Sequence, residues 1–269
     1  MFINYTKDNP LQVVTLCSGY DSQCMALDRI KELNPDFDYE LVAWSEIDKY
    51  AIMAHNAVYP QWKERNLGDM TKIDWENFAS DIDLLFYSTP CTDFSNAGKQ
   101  AGGEEGSGTR SSILWYTRNA IKAKRPRICI MENVKALVSA KFKPLFQRWE
   151  QELASYGYNN YCKVLNAKDY GIPQNRERIF LVSIRDEQSF SFGEPFQLEL
   201  RLKDMLEEKV DEKYYLDDEK VAKFVEHCDR KQAEGCGFKF EPSNGGGQAK
   251  TVTSRAGTRE TDNFLTEFE

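Results

Sequence analysis

Several features are scarce in this chain, and each scarcity excludes something. No apolar run reaches membrane-spanning length, and the opening stretch MFINYTKDNP has neither signal-peptide nor transit-peptide character, so a cytoplasmic protein is expected. The seven cysteines include no Cys-x-x-Cys pair, which argues against zinc-finger spacing; an odd number also fits no disulfide framework. Reduced thiols are the simplest reading. Histidine occurs twice, at His55 and His227, in no metal-ligand or triad spacing, so both are expected to be surface or packing residues and no metal is expected. Positive charge is short as well: 35 Lys and Arg stand against 43 Asp and Glu, for a net charge of −8. That lowers the expectation of a sequence-blind nucleic-acid binder. The deficit is local, however. Residues 1–185 carry 23 basic and 23 acidic side chains, whereas residues 186–269 carry 12 and 20. Within the balanced part, Arg118, Lys122, Lys124, Arg125 and Arg127 form a basic cluster.

What is present suits a soluble globular protein with one large core, or one large and one small domain. Short apolar strands are expected at Gln12–Cys17, Glu40–Trp44, Ile82–Tyr87 and Arg127–Met131. Between them lie segments of helical periodicity: one after Ser22 as N-cap, one through Tyr50–Met53, one over Ser111–Lys124 and one over Phe142–Tyr156. Tyr158–Leu165 and Arg178–Ile184 are β-rich and fit a terminal hairpin around Gly171-Ile172-Pro173. Strands alternating with helices imply a doubly wound α/β fold with a mostly parallel sheet. Beyond Asp186 the sequence turns charged and irregular, and a smaller second region is expected there.

In a doubly wound sheet, ligands sit outside the carboxyl ends of the strands. The residues at those ends are Ser18-Gly19, Glu46, Cys91 and Glu132. Cys91 follows Pro90, which stiffens its turn, and precedes a loop with glycines at 98, 102, 103, 106 and 108. A thiol so placed suits a nucleophile, although by itself a free cysteine beside an apolar strand is more often an inert core residue. Glu46, ending the second strand, suits the two hydroxyls of a ribose, as in an NAD enzyme. The first turn, Ser18-Gly19-Tyr20-Asp21-Ser22-Gln23, lacks Gly-x-Gly-x-x-Gly, and Asp21 at the helix start would repel a pyrophosphate. A nucleoside cofactor without phosphate is less affected by that lack. S-adenosylmethionine is one.

Four blocks now point one way: TLCSGYDSQCMAL (15–27), STPCTDFSNAGKQ (88–100), MENVKAL (131–137) and DYGIPQNRERIFLVSIR (169–185). In that order they resemble the DNA-modifying C5-cytosine methyltransferases, closely over 1–185 and loosely beyond. The resemblance implies a Rossmann-like methyltransferase fold: an S-adenosylmethionine-binding catalytic domain over 1–185 and part of a target-recognition domain over 186–269. It implies that Cys91 attacks C6 of a cytosine flipped out of duplex DNA, that Glu132 binds N3 and the exocyclic amine, and that Asn133 braces the Pro-Cys turn. Arg178 would contact the base oxygen, with Arg176 and Gln174 in support. Cys17, Ser18, Gly19 and Tyr20 would line the methionine side of the cofactor and Glu46 would hold its ribose. Ile47 and Met70 would sandwich adenine, Asp69 would accept from its amine, and Pro90 and Ile113 would complete the wall. Ser95, Lys99, Arg255 and Arg259 are candidates for DNA contact.

The chain departs from the family pattern in places. Thr15, Cys17, Asp21 and Ser22 stand where Asp, Phe, Gly and Gly are usual, and Thr92 stands for glutamine. Residues 249–265 resemble the recognition region, but nothing matches the family's final two blocks. A fragment or half of a split enzyme, completed by a C-terminal polypeptide, is therefore one expectation, and a cognate restriction nuclease is a further partner. A non-catalytic nucleic-acid-binding remnant, a tRNA cytosine methyltransferase and an NAD oxidoreductase are the competing readings.

Overall fold

The computed structural model describes residues 5–94, 100–185, 189–235, 239–253 and 257–266. Its first strand, β1 (Leu11–Leu16), is apolar on both faces, as an interior parallel strand must be. It is followed by α1 (Ser22–Leu33), β2 (Tyr39–Ser45), α2 (Lys49–Val58), β3 (Leu84–Tyr87), α3 (Thr117–Lys124), β4 (Ile128–Val134) and α4 (Lys143–Ser155). Then come β5 (Asn159–Asn166), β6 (Gln174–Asn175), β7 (Glu177–Ile184), α5 (Asp218–Ala233) and β8 (Ala249–Lys250). Among the described residues six strands form one sheet in the order β2-β1-β3-β4-β7-β5. β2, β1, β3 and β4 run parallel, and β7 is antiparallel to β4. The chain crosses from β1 to one side and then returns to the other, so the switch point lies between β1 and β3.

Successive strand residues feed opposite cores, which is what makes the sheet doubly wound. Val14, Leu85 and Cys129 face one cluster with Ile121 of α3 and Phe146, Trp149 and Leu153 of α4. Val13, Leu84 and Ile128 face the other, with Cys24 and Leu27 of α1 and the rings of Trp44, Tyr59 and Trp62. Each such large side chain contributes roughly 1.5–3 kcal/mol by leaving water. The terminal hairpin is present: Ser183 Oγ donates to Asn160 Oδ1 at one end of β5 and β7 (2.7 Å), and Ala167 N to Arg176 O at the other (3.1 Å), so the two strands are antiparallel.

Three local readings change. Asp21 rather than Ser22 is the N-cap of α1, and it adopts a left-handed backbone. The segment expected as one helix over 111–124 is a tight 3-10 stretch over Arg110–Tyr116 that passes into α3. There Ser111 N donates to Asp93 Oδ2 and Ser112 Oγ to Thr109 O, which competes with a regular helical ladder. Finally β4 continues beyond Met131, because its ladder with β7 runs on through Glu132↔Phe180, Asn133↔Ile179 and Val134↔Arg178.

The chain divides into two compact units, Met1–Val164 with Arg178–Phe192, and Leu165–Glu177 with Gly193–Glu269. The second has a thin core: α5, capped by Asp217, carries Phe224 against Phe240 and Phe264, and β6 pairs in parallel with β8. No helix among the described residues is long and apolar enough to cross a membrane.

Candidate active site

The carboxyl ends of β1 and β2 form the first half of the site. After β1 the backbone turns through positive φ at Cys17 (52°), Gly19 (61°) and Asp21 (62°). At Gly19 a Cβ would meet nothing within 4 Å, so the glycine serves the φ value and leaves open space above the turn. Ser18 N donates to Ser45 O at the end of β2 (3.2 Å). Glu46 then closes the two turns together: Oε2 accepts from Gly19 N at 3.0 Å, and Oε1 accepts from Ile47 N and Asp48 N at 2.8 and 2.9 Å. Asn66 holds the Glu46 backbone from both sides. Ile47 is 70% exposed beside this turn.

Behind these turns, Ser45 Oγ donates to Gly68 O and positions the stretch bearing Asp69 and Met70. Asp69 Oδ1 accepts from Thr71 Oγ1 and Thr71 N, and these bonds hold its carboxyl below the usual range. Met70 is buried, with its sulfur 3.4 Å from Cys17 Sγ. Burial, with Glu46 nearby, pushes the Cys17 thiol up to about 12. Tyr20 is half exposed on the same turn, and Ile113 packs at the edge of the core.

The second half follows β3 and β4. Tyr87 and Met131 are in register, so Thr89-Pro90-Cys91 and Glu132-Asn133 leave the sheet at the same end. Asn133 is buried; its Nδ2 donates to Thr89 O at 3.1 Å while its Oδ1 accepts from Val134 N. Ser111 Oγ donates to Pro90 O at 2.7 Å, and Phe94 N to Cys91 O at 3.0 Å. The Pro-Cys turn is thus held by three bonds, and Cys91 itself is a free, half-buried thiol. On the opposite face from Asn133, Glu132 Oε1 lies 3.0 Å from Arg178 Nε. The register explains the pair: Glu132 faces Phe180 and Arg178 faces Val134, which makes the two charges diagonal neighbours on one face.

The structure therefore brings together Glu132 with Arg178, Asn133 with the Pro-Cys turn, Gly19 with Glu46, and Cys17 with Met70. Arg176 and Gln174 fall in the second unit, where Arg176 Nη1 donates to Val252 O and Gln174 Oε1 accepts from Val252 N. Arg259 is exposed in that unit, its backbone N–H on Asp262. Ser95, Lys99 and Arg255 lie outside the described residues. Asp21 does not face the site as an exposed charge, as the sequence suggested; it is fully buried, as is His55. Arg125 and Arg127 of the basic cluster immediately precede β4, at the other end of that strand from Glu132, whereas Arg118 lies at the start of α3. The cluster's charges are engaged locally: Arg118 with Glu105 and Glu152, Lys124 with Phe78 O, and Arg125 with Tyr156 O. Sequence reasoning missed Ser111 and Asp93 as braces of the cysteine turn. Helical periodicity hid Ser111, and no local pattern links residues 18 positions apart.

Comparison with known proteins bears on this geometry. The family model described as C-5 cytosine-specific DNA methylase matches residues 11–266. The type II methyltransferase M2.ScrFI of Lactococcus lactis subsp. cremoris is 41% identical over 72% of this chain and 54% of its own length. The orphan methyltransferase M.Rho11sI of Bacillus phage rho11s is 33% identical over 82% of this chain and 48% of its own. The chain spans about half the length of these curated relatives. Among solved structures, the Dnmt2 methyltransferase of S. pombe superposes with a TM-score of 0.69 at 17% identity, covering 96% of this chain and 77% of that one; this likeness speaks to the fold.

Proposed function

Since the chain belongs to the C-5 cytosine-specific DNA methylase family, we propose that it methylates C5 of a cytosine in double-stranded DNA, with Cys91 as the covalent nucleophile. One observation carries this reading. The strand that presents Glu132 to Arg178 at 3.0 Å also presents Asn133 to the backbone of the Pro-Cys turn. A carboxyl group, a guanidinium and a thiol-bearing turn are thus organised by two neighbouring residues.

The first turn and Glu46 fit S-adenosylmethionine. A carboxylate offers about four acceptor sites, and the three backbone donors leave one on Oε2 for a ribose hydroxyl. Exposed Ile47 offers an apolar face to a purine, Met70 is the second apolar side chain assigned to it, and Asp69, whose Oδ2 lies 3.4 Å from Lys72 Nζ, would accept from its amine. Cys17, Ser18, Gly19 and Tyr20 take the methionine side, while Pro90 and Ile113 complete the wall. Bound there, the cofactor supplies an electrophilic methyl group to the activated C5.

The remaining chemistry belongs to the chain. The target base leaves the stack, at a cost of a few kcal/mol. Cys91, as thiolate, adds to C6 and forms the S–C6 bond, which turns C5 into an enamine-like carbon. Glu132 shares a proton with N3 and accepts from the exocyclic amine, drawing electron density from the ring. Arg178 orients Glu132 and reaches the base oxygen. After methylation, loss of the C5 proton to a base restores the double bond and expels Cys91. We assign 1–185 to cofactor binding and catalysis, with Arg176 in support of Arg178, and 186–269 to target recognition, with Ser95, Lys99, Arg255 and Arg259 as candidates for DNA contact by resemblance to the family.

The test is a denaturation-resistant adduct on duplex DNA containing 5-fluorocytosine, with S-adenosylmethionine present. The adduct should form with the native chain and be absent from Cys91→Ala. Because the chain spans half of its relatives, the assay is run with and without a polypeptide carrying their C-terminal blocks. No adduct in either arm would defeat the reading, and stronger competition by tRNA than by duplex DNA would change the substrate.

A further inference from the structure

Beneath the cofactor turn lies a pair of side chains that this chemistry does not use. Asp21 and His55 are both fully buried, and His55 Nε2 lies 3.1 Å from Asp21 Oδ2. Asp21 belongs to the turn after β1, and His55 lies on α2, which follows the Glu46 turn. Their surroundings are Thr15 of β1, Cys24 of α1 and Glu46 around the carboxylate, and Trp44 of β2, Asn56 and Tyr59 around the imidazole.

Two costs are concentrated at Asp21. Its φ of 62° is a left-handed backbone that suits glycine better, and its carboxyl group has left water. A strained residue with a buried charge persists only where its neighbours over-determine it. Here the imidazole is fixed before it meets the carboxylate: it stacks on Trp44 with centroids 3.7 Å apart and planes at 20°, and Nδ1 lies 3.4 Å from Asn56 Oδ1. Burial nonetheless raises the carboxyl above its ordinary value, with His55 and Thr15 acting in the opposite direction.

We infer that Asp21 and His55 form a positioning pair for the cofactor pocket, tying the first turn to α2 from below while Glu46 ties the two turns from above. The inference rests on the reading of this pocket as the S-adenosylmethionine site. Two crosslinks, Gly19 N to Glu46 Oε2 and Asp21 to His55, then set how far Ser18 and Gly19 stand from the Glu46 carboxylate. The Asp21 side chain thereby secures a turn at a place where the family pattern has glycine.

Hydrogen exchange on the full chain tests the pair without cofactor. His55→Phe keeps an aromatic ring on Trp44 and removes the nitrogen. Protection of the Gly19 amide should fall by about tenfold or more while the Ile130 amide in β4 is unchanged. Asp21→Gly, which the left-handed backbone accepts, should do the same. Asp21→Asn, which keeps a side-chain oxygen facing the imidazole, should restore protection. In calorimetry with S-adenosylmethionine, His55→Phe and Asp21→Gly should weaken binding about tenfold and Asp21→Asn about threefold at most, with KM for duplex DNA unmoved. Global destabilisation with Gly19 protection and cofactor affinity unchanged would overturn the inference. If the native chain itself bound no S-adenosylmethionine, the pocket reading would fall, and Gly19 exchange alone would still decide whether the pair positions the turn.

Discussion

The side-chain amide of Asn133 donates to the carbonyl oxygen of Thr89 at 3.1 Å, two residues before Cys91, and the bond is buried. It ties β4 to the turn after β3, so Asn133 shares with Ser111 the placing of the cysteine turn.

Asn133→Ala would leave the Thr89 carbonyl without this donor in a buried place. A loss of about 1–3 kcal/mol is expected, seen as a lower urea midpoint with unchanged slope. Asn133→Asp, which turns an acceptor toward that carbonyl, should be worse than Ala in the same measurement.

Glu132 and Arg178 pair where both side chains keep some contact with solvent, 31% and 18% exposed. Glu132→Gln should therefore cost less than about 1 kcal/mol of stability. Methyl transfer to duplex DNA should fall by about 10²–10⁴, the range for a lost general acid. A variant that loses stability and retains turnover would make the pair structural.

Gly103 is enclosed rather than conformationally special. A Cβ there would stand 2.6 Å from Phe94 Cζ and 2.9 Å from Ser111 O, beside the braces of the cysteine turn. Gly103→Ala should cost about 1–3 kcal/mol in chemical denaturation. At Gly106 (φ 73°) a Cβ meets nothing, so Gly106→Ala should cost only backbone strain, about 1 kcal/mol.

Asp69 illustrates the pH dependence. The Thr71 hydroxyl and then the Thr71 N–H hold its carboxyl below the ordinary value. A depressed folded-state value contributes stability above the unfolded-state pKa, and that contribution is lost as pH falls through the depressed one. Thr71→Val should move Asp69 upward in a carboxyl carbon NMR titration and shrink its share of the acid-induced loss. An unmoved titration would assign the depression to the backbone bond and to the Lys72 ammonium, 3.4 Å from Oδ2.

Cys17, pushed up to about 12, should resist alkylation in the folded chain. At pH 8 its thiolate fraction is on the order of 10⁻⁴, so iodoacetamide should label it only after denaturation, as read by peptide mass spectrometry. Labelling in the native state would show the Cys17–Met70 contact to be open.

Much of the fold was legible because buried parallel strands write themselves as apolar runs. Val13-Val14, Leu84-Leu85 and Ile128-Cys129 each serve two cores, so both neighbours must be apolar. Helix breaks were less legible. The 3-10 stretch through Ser111 depends on Asp93, and periodicity carries no information about a partner outside the segment.

The chain's own order of residues determined the strand–helix alternation, the Pro-Cys turn at a strand end, and the blocks by which the family is recognised. All of these are local patterns of burial and turn chemistry. Only the tertiary structure decided that β4 runs on through Glu132 and that its register with β7 sets Glu132 against Arg178. It also decided that Asp21 turns inward to His55 rather than outward to a ligand. Those outcomes hinge on antiparallel register and burial between segments tens of residues apart, where a shift of one residue would face every side chain the other way.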